Sequence, residues 1–585
     1  MRAQGVFMNT NTAKGEGTSN VRRILSLLIP FKLRIAIVIA CALVSSALTT
    51  IQPLLRQRLI DEGVIGGSLR EVIFISLFIF GLFAVNQLSE AIQFFNYTYI
   101  SKMLTFKLFH TAFKHLMKLP VSFFKDSNST QIIGNIEYDV SNIARISDSV
   151  FVTSFVQGLC MIGGAVGLAI INWQLALLVL CIIPVKILIN SYYSKKRIKA
   201  FENIMEIYTK FAEWKGETVQ GIHTIKLWNV FRRKLRDFTG LRREIIHNEY
   251  RLAETEQGNS ITSNTVDALL NGALYVLCAY FIFKGQLTVG GLFSFTSYSS
   301  VVIGSISFLT RIKFYFAPVF PSLKRYFEFM ETKEEHSGYL EVSQALPHIE
   351  FKNVTLHYND KATALKDISF EMNAGEKIAV VGANGSGKSS IIQLLLHFFE
   401  PSDGKITYCG TDIREIKLGQ YRNLFSCVEQ KSFIFNASVR ENIDPISWAS
   451  DEKMMEIAEV LGVSAFVSGL PDGLDTAAGV DGSKFSGGER QKLAMLRAWV
   501  KPHKVLILDE VTNNLDIESE NLINELMIHT DSSKIVIVVT HRVHILDKVD
   551  KILFMNNGEL VGLGTFAELS VSCPEFLRFI RQINH

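Results

Sequence analysis

Hydrophobic and polar positions divide the chain into two halves of different grammar. Up to about residue 330 long apolar stretches recur, and from about residue 347 short apolar runs alternate with helix-like periodicity. Measured against the roughly 20 apolar residues that a helix needs to cross a bilayer, six stretches qualify: Ile35–Leu55, Val72–Phe95, Ser147–Ile171, Leu175–Tyr193, Thr262–Phe283 and Leu292–Phe316. The joins alternate between short and long. Arg56 to Glu71, Asn172 to Gln174 and Lys284 to Gly291 are brief, whereas Asn96 to Ile146 and Ser194 to Ile261 are long and rich in lysine and arginine. Basic residues favour the cytoplasmic side, so the pattern predicts long segments and both termini in the cytoplasm. Those long segments also read as helical, which predicts spanning helices that continue beyond the bilayer. A short amphipathic helix, Val21 to Phe31, is expected on the inner membrane face, capped by Ser19-Asn20.

Composition agrees. Of 585 residues, 48% are hydrophobic and 20% charged, below the quarter or so usual for soluble domains. A net charge of +4 over this length argues against nucleic acid as the main partner. Seven cysteines without paired spacing read as small buried hydrophobes. The boundary between the halves falls in the charged, aperiodic Glu331–Gly338. The expected organisation is a polar, disordered tail (1–20), a transmembrane domain (21–330), a linker (331–347) and a C-terminal domain (348–585). The tail lacks the apolar core of a secretory signal peptide.

The C-terminal domain carries the chemistry. The strand Lys377–Val381 runs into Gly382-Ala-Asn-Gly-Ser-Gly-Lys-Ser389, with an apolar helix expected over Ser390 to Phe399. This is G-x-x-x-x-G-K-[ST] in the strand–loop–helix setting that its chemistry requires. Glycines let backbone N–H groups close around phosphates at a helix N-terminus, whose dipole favours anions. Lys388 is expected to reach the β- and γ-phosphates, and the Ser389 hydroxyl to bind Mg²⁺. A second apolar strand, Val505–Leu508, ends in Asp509-Glu510. Asp509 suits a residue that helps to hold Mg²⁺, and Glu510 a base that orients the attacking water.

Between these motifs stands Phe485-Ser-Gly-Gly-Glu-Arg-Gln491, and here the chain closely resembles the ATP-binding cassette family, whose signature sequence this segment is similar to. The resemblance covers the chain from about Val21 to its end. By it, Gln430 matches the family's Mg²⁺-sensing glutamine, Asn513–Asp516 the segment that communicates across the dimer, His541 the histidine on the γ-phosphate and Tyr358 the aromatic that stacks on adenine. Gly382, Asn384, Gly385, Ser386, Gly387, Lys388, Ser389, Ser390, Ser486, Gly487, Gly488 and Glu489 fall in the ATP-contacting motifs, with Ser389, Gln430 and Asp509 toward the metal and Glu510 and His541 toward catalysis. The implied fold is an all-α transmembrane domain of six long helices followed by an α/β P-loop NTPase domain.

In this family two nucleotide-binding domains pair head to tail, each ATP lying between one phosphate loop and the other's signature. One of each per chain resembles a half-transporter of the exporter branch, which implies a second copy of itself or a different half as partner, with the homodimer favoured. Leu119–Phe124 with Ile133–Asp139, and Glu217–Lys226, are similar to that branch's coupling regions. Three positions depart from the usual pattern: Phe485, Glu489, and Val480 where many exporters carry glutamate. The resemblance implies an ATP- and Mg²⁺-dependent exporter of a small peptide, lipid-like molecule or drug in a bacterial cytoplasmic membrane. An importer on the same architecture, as in some siderophore uptake, and an ATP-gated sensor or channel remain the alternatives. Lys186 and Arg311, charged within or near the spans, are expected to line a cavity that favours neutral or anionic amphiphiles, with snorkelling or internal ion pairs as the alternative.

Overall fold

The computed structural model describes residues 27–125, 129–359, 362–511, 525, 531–540 and 542–583. The expected tail and most of the expected amphipathic helix lie outside these residues. The described residues form two compact units, one within 1–117 and 129–332, the other within 118–128 and 333–585.

The first unit is helical. Its long elements are α1 (Lys32–Arg58), α2 (Leu69–Leu116), α5 (Ser149–Ile171), α6 (Trp173–Gln220), α8 (Phe231–Phe283) and α9 (Val289–Phe316). Among the described residues, six helical segments are long and apolar enough to cross a membrane. Helices of 48 to 53 residues extend about 70–80 Å at 1.5 Å per residue, more than twice the hydrocarbon thickness of roughly 30 Å. The spans therefore continue past the bilayer, with Phe74, Leu77, Phe80 and Phe95 of α2 exposed where hydrocarbon rather than water suits them. Shorter helices fill the long joins: α4 (Ser129–Ala144), α7 (Ile222–Leu227) and α10 (Val319–Met330).

Packing within the bundle follows from small residues opposite large ones. A Cβ on Gly167 of α5 would lie 2.7 Å from the Tyr298 ring of α9, so only glycine admits that buried tyrosine. The Tyr298 hydroxyl donates to Thr50 O at 2.5 Å, one turn before Pro53 inside α1. At the N-terminal end of α9, Asp61 accepts from Thr288 Oγ1 at 2.6 Å and from the Gly290 amide at 2.8 Å, which caps the helix. Losing an N-cap acceptor costs about 0.5–2 kcal/mol. Asp61→Ala is therefore expected to lower the melting temperature by a few degrees in a detergent-solubilised thermal scan.

The second unit holds two sheets. A six-stranded sheet has the order β10-β9-β3-β8-β7-β6, and a four-stranded antiparallel sheet the order β2-β1-β4-β5. In the first, β3 (Lys377–Gly382), β6 (Phe425–Val428), β7 (Val505–Asp509), β8 (Ile535–Val539) and β9 (Lys551–Asn556) are joined by parallel pairings, and β10 (Glu559–Gly564) pairs antiparallel to β9. The strands β3 and β8 are almost wholly apolar and buried, as a parallel sheet covered on both faces requires. In the second sheet, β1 (His348–Asn359), β2 (Ala362–Asn373), β4 (Asp403–Tyr408) and β5 (Thr411–Asp412) contribute Phe351 and Phe370, stacked at 4.4 Å. The short helix α3 (Val121–Lys125) groups with this unit. Beside it, Lys118 O accepts the Glu335 amide at 2.8 Å and its ammonium pairs with Glu334 at 3.0 Å.

Candidate functional site

The phosphate loop stands where β3 ends, at the centre of the parallel sheet. Helix α11 (Lys388–Leu395) begins two residues before the expected start and stops four before the expected end. It stops because His397 takes a left-handed conformation at φ 53° while the Phe398 amide reaches back to Gln393 O at 2.8 Å, a Schellman closure. Its start is the loop itself. Gly387 has φ 106°, and a Cβ there would lie 2.7 Å from Leu365 Cδ2, so glycine is required twice over. No side chain caps α11 at its N-terminus, which leaves its first amides available to an anion. The Ser386 hydroxyl is buried and has no hydrogen-bond partner among the described residues.

Lys388 is buried, its Nζ donating to Gly382 O at 2.8 Å and Ala383 O at 3.0 Å. Burial holds its ammonium below lysine's ordinary value, against the opposing attraction of Glu510 and Asp509. Asp509, the last residue of β7, is pushed up to about 6 by burial and by Glu510, with Lys388 pulling the other way. Glu510 follows at φ 50°, a conformation that a non-glycine residue adopts at a cost of order 1–3 kcal/mol. Its amide bonds Val539 O at 3.0 Å and its Oε2 accepts from Gln430 Nε2 at 2.5 Å. The structure thus brings Lys388 into the field of Asp509 and Glu510, and ties Gln430 to Glu510. Tyr358 packs edge-on to Phe399 at 5.1 Å, and its hydroxyl bonds Gln393 Oε1 at 2.6 Å and Ser390 Oγ at 3.0 Å. His541 and Asn513–Asp516 lie outside the described residues.

The signature segment opens helix α12 (Gly487–Val500). Its unusual Glu489 has a local physical role. Ser486 Oγ accepts the Glu489 amide while Glu489 Oε2 accepts the Ser486 amide at 2.7 Å, a reciprocal capping box. Those bonds hold the Glu489 carboxyl below the usual carboxylate range. Val480 is 71% exposed, so its side chain is open to a partner.

Gln491 is the residue that motif reading passed over. It is buried in α12 and its amide donates to Val511 O, next to Glu510. Its spacing five residues after Ser486 puts it on the inward face of the helix, but nothing in the motif names its target. Gln491→Leu removes this donor together with an acceptor, Oε1, that has no partner among the described residues. The expected result is a kcat lowered roughly tenfold with KM nearly unchanged, since a misplaced reacting group costs rate more than binding. Steady-state ATPase kinetics would show it.

In the helical unit Lys186 is buried, 2.5 Å from Asp267 Oδ1 and 2.8 Å from Ser263 Oγ. Its charge is engaged internally, the alternative that the sequence left open. The Arg311 side chain lies outside the described residues.

The family model of the ABC transporter transmembrane region matches residues 35–306, and that of the ABC transporter matches residues 365–513. Both occur in one chain, in the order that the fold displays. The chain belongs to the ABC transporter family. This ABC transporter is 27% identical over 560 residues to an ATP-dependent lipid A-core flippase of Yersinia pestis bv. Antiqua, covering 94% of this chain and 95% of the relative. It is 29% identical over 502 residues to the uncharacterized ABC transporter ATP-binding protein YwjA of Bacillus subtilis, covering 84% and 86%. Among solved structures, a bacterial Atm1-family ABC exporter with ATP bound shares the fold at a TM-score of 0.82 and 22% identity, covering 94% of this chain and 98% of that one. The transporter is a multi-pass membrane protein of the half-transporter, exporter type, and an ATP hydrolase coupled to transport across the membrane.

Proposed function

We propose that this ABC transporter works as a homodimer that uses ATP to export a lipid-like amphiphile from the cytoplasmic side of a bacterial inner membrane, with both termini in the cytoplasm. The observation that carries the reading is a single phosphate loop, acid pair and signature segment in the sequence, together with six spanning helices among the described residues. One set needs a second to make a composite site. The Leu227 and Trp228 side chains at the end of α7 are exposed, which suits burial against the second copy. The flippase relatives support a lipid-like substrate over a peptide, and the bacterial sources of the relatives support the membrane.

At each site the backbone of residues 382–390, Lys388 and the partner's Ser486–Glu489 bind the triphosphate, Tyr358 holds the adenine end, and Glu510 accepts the proton of the attacking water, helped by His541. Among the described residues no group of three or more His, Cys, Asp or Glu side chains could hold a metal. The Ser389 hydroxyl, the Gln430 amide oxygen and Asp509 supply the hard oxygen donors that Mg²⁺ prefers. When bound, the ion would neutralise phosphate charge.

The test is ATPase activity of the purified protein in lipid nanodiscs against Glu510→Gln, with lipids, peptides and drugs added singly. Glu510-dependent hydrolysis stimulated by lipid-like compounds supports the reading. Hydrolysis absent despite ATP binding would replace it with a missing partner half or an ATP-gated sensor.

A further inference from the structure

We propose that Asp267, backed by Lys186, is the centre of a ligand subsite for the ammonium head group of an amphiphile. The inference rests on the transporter reading above and specifies its substrate class.

The first observation is the asymmetry of the ion pair. Lys186 Nζ is sealed against Asp267 Oδ1 at 2.5 Å and Ser263 Oγ at 2.8 Å, and the lysine side chain is 2% exposed. The Asp267 side chain is 30% exposed, and among the described residues its Oδ2 has no hydrogen-bond donor. The pair is neutral as a whole, but the pole it offers outward is the carboxylate's.

The second observation is depth. Lys186 is 13 residues from the start of α6 at Trp173, and Asp267 is 16 residues before the end of α8 at Phe283. At 1.5 Å per residue both lie about 20–24 Å in from the short-loop ends, within a hydrocarbon layer of roughly 30 Å. A half-buried carboxylate at that depth does not face lipid; it faces a polar cavity, a ligand or a polar group of the second copy.

The third observation is the company it keeps. Ser260, Asn264, Asp267 and Asn271 follow one another at spacings of four, three and four along α8, one face of the helix. Asn264 is exposed, and the other three are half-buried. Hydroxyl and amide groups flanking an outward carboxylate suit a protonated amine, which offers up to three donors. An anionic head group would meet the carboxylate first. Lys186 is covered and its charge is offset by Asp267, which reverses the preference expected from the lysine alone.

The experiment uses the full-length protein in nanodiscs and two fluorescent amphiphiles of opposite charge, dansylcadaverine (a primary amine) and dansylundecanoic acid. Binding is read against empty nanodiscs. Because Asp267→Asn alone strands a buried lysine, the principal variant is the charge-neutral Lys186→Gln/Asp267→Asn, and Asn264→Leu/Asn271→Leu leaves the ion pair intact. The expected result is amine binding weakened at least about tenfold in the first variant, the loss of one charge-assisted contact, and weakened several-fold in the second. The carboxylate probe is expected to change less than twofold or to bind more tightly. Equal loss of both probes, or amine binding untouched in the second variant, overturns the subsite. The probes are also added to the ATPase assay. Amine binding that depends on Asp267 without stimulating hydrolysis would keep the subsite and sink the transport reading. Stimulation by the carboxylate probe alone, indifferent to both variants, would do the reverse.

Discussion

Glu510→Gln is expected to lower ATP turnover by about 10²–10⁴-fold, the range lost when a positioned proton acceptor is removed, while ATP still binds. The substitution is nearly isosteric, and the structure indicates what survives it. The left-handed φ of 50° at Glu510 belongs to the backbone at the end of β7, and the amide bond to Val539 O at 3.0 Å is unaffected by the side chain. An amide oxygen can still accept from Gln430 Nε2, which lies 2.5 Å from Glu510 Oε2. Only the capacity to take a proton from water is lost. The protein should therefore accumulate with ATP held between two copies, and retention of labelled ATP on a desalting column would report it. Glu510→Gln with ordinary turnover would remove the assignment of the base.

The spans were legible because each depends on one local quantity, apolar length. Lys32–Arg58 and Val289–Phe316 extend the expected spans by only three residues at each outlying end. The phosphate loop was legible for a related reason. Its glycines answer to backbone geometry within eight residues, as the φ of 106° at Gly387 shows. Where reading failed, the cause was a partner distant in sequence. Lys186 and Asp267 are 81 residues apart and meet through the register of α6 against α8, a quantity no local pattern encodes. Their charges were visible; which one faced outward was not. The same holds for Gln491, whose target Val511 lies 20 residues on. Helix α11 ended early because His397 adopts a left-handed turn normally given to glycine, a choice that residue type does not announce. Glu489 is the reverse case. It read as a departure from a family pattern, and S-x-x-E is a capping box written in the sequence.

Lys388→Ala acts one step earlier than the loss of Glu510. In the structure its ammonium satisfies the carbonyls of Gly382 and Ala383 and is the nearby cation that Asp509 and Glu510 both feel. Without it, an incoming triphosphate meets two carboxylates whose charge is no longer offset, and the γ-phosphate loses a charge-assisted donor worth about 1.5–3 kcal/mol. Affinity for ATP should fall about 10- to 100-fold, and hydrolysis should fall with it at any subsaturating concentration. Lys388→Arg should not restore it, since a planar guanidinium does not fit a pocket shaped around a point charge. Titration with a fluorescent ATP analogue separates the two sites of action. Lys388→Ala should lose binding, and Glu510→Gln should keep it. If Lys388→Ala bound ATP with unchanged affinity and only failed to hydrolyse it, the lysine would belong to the transition state alone, and the loop's glycine-held amides would carry ground-state binding by themselves.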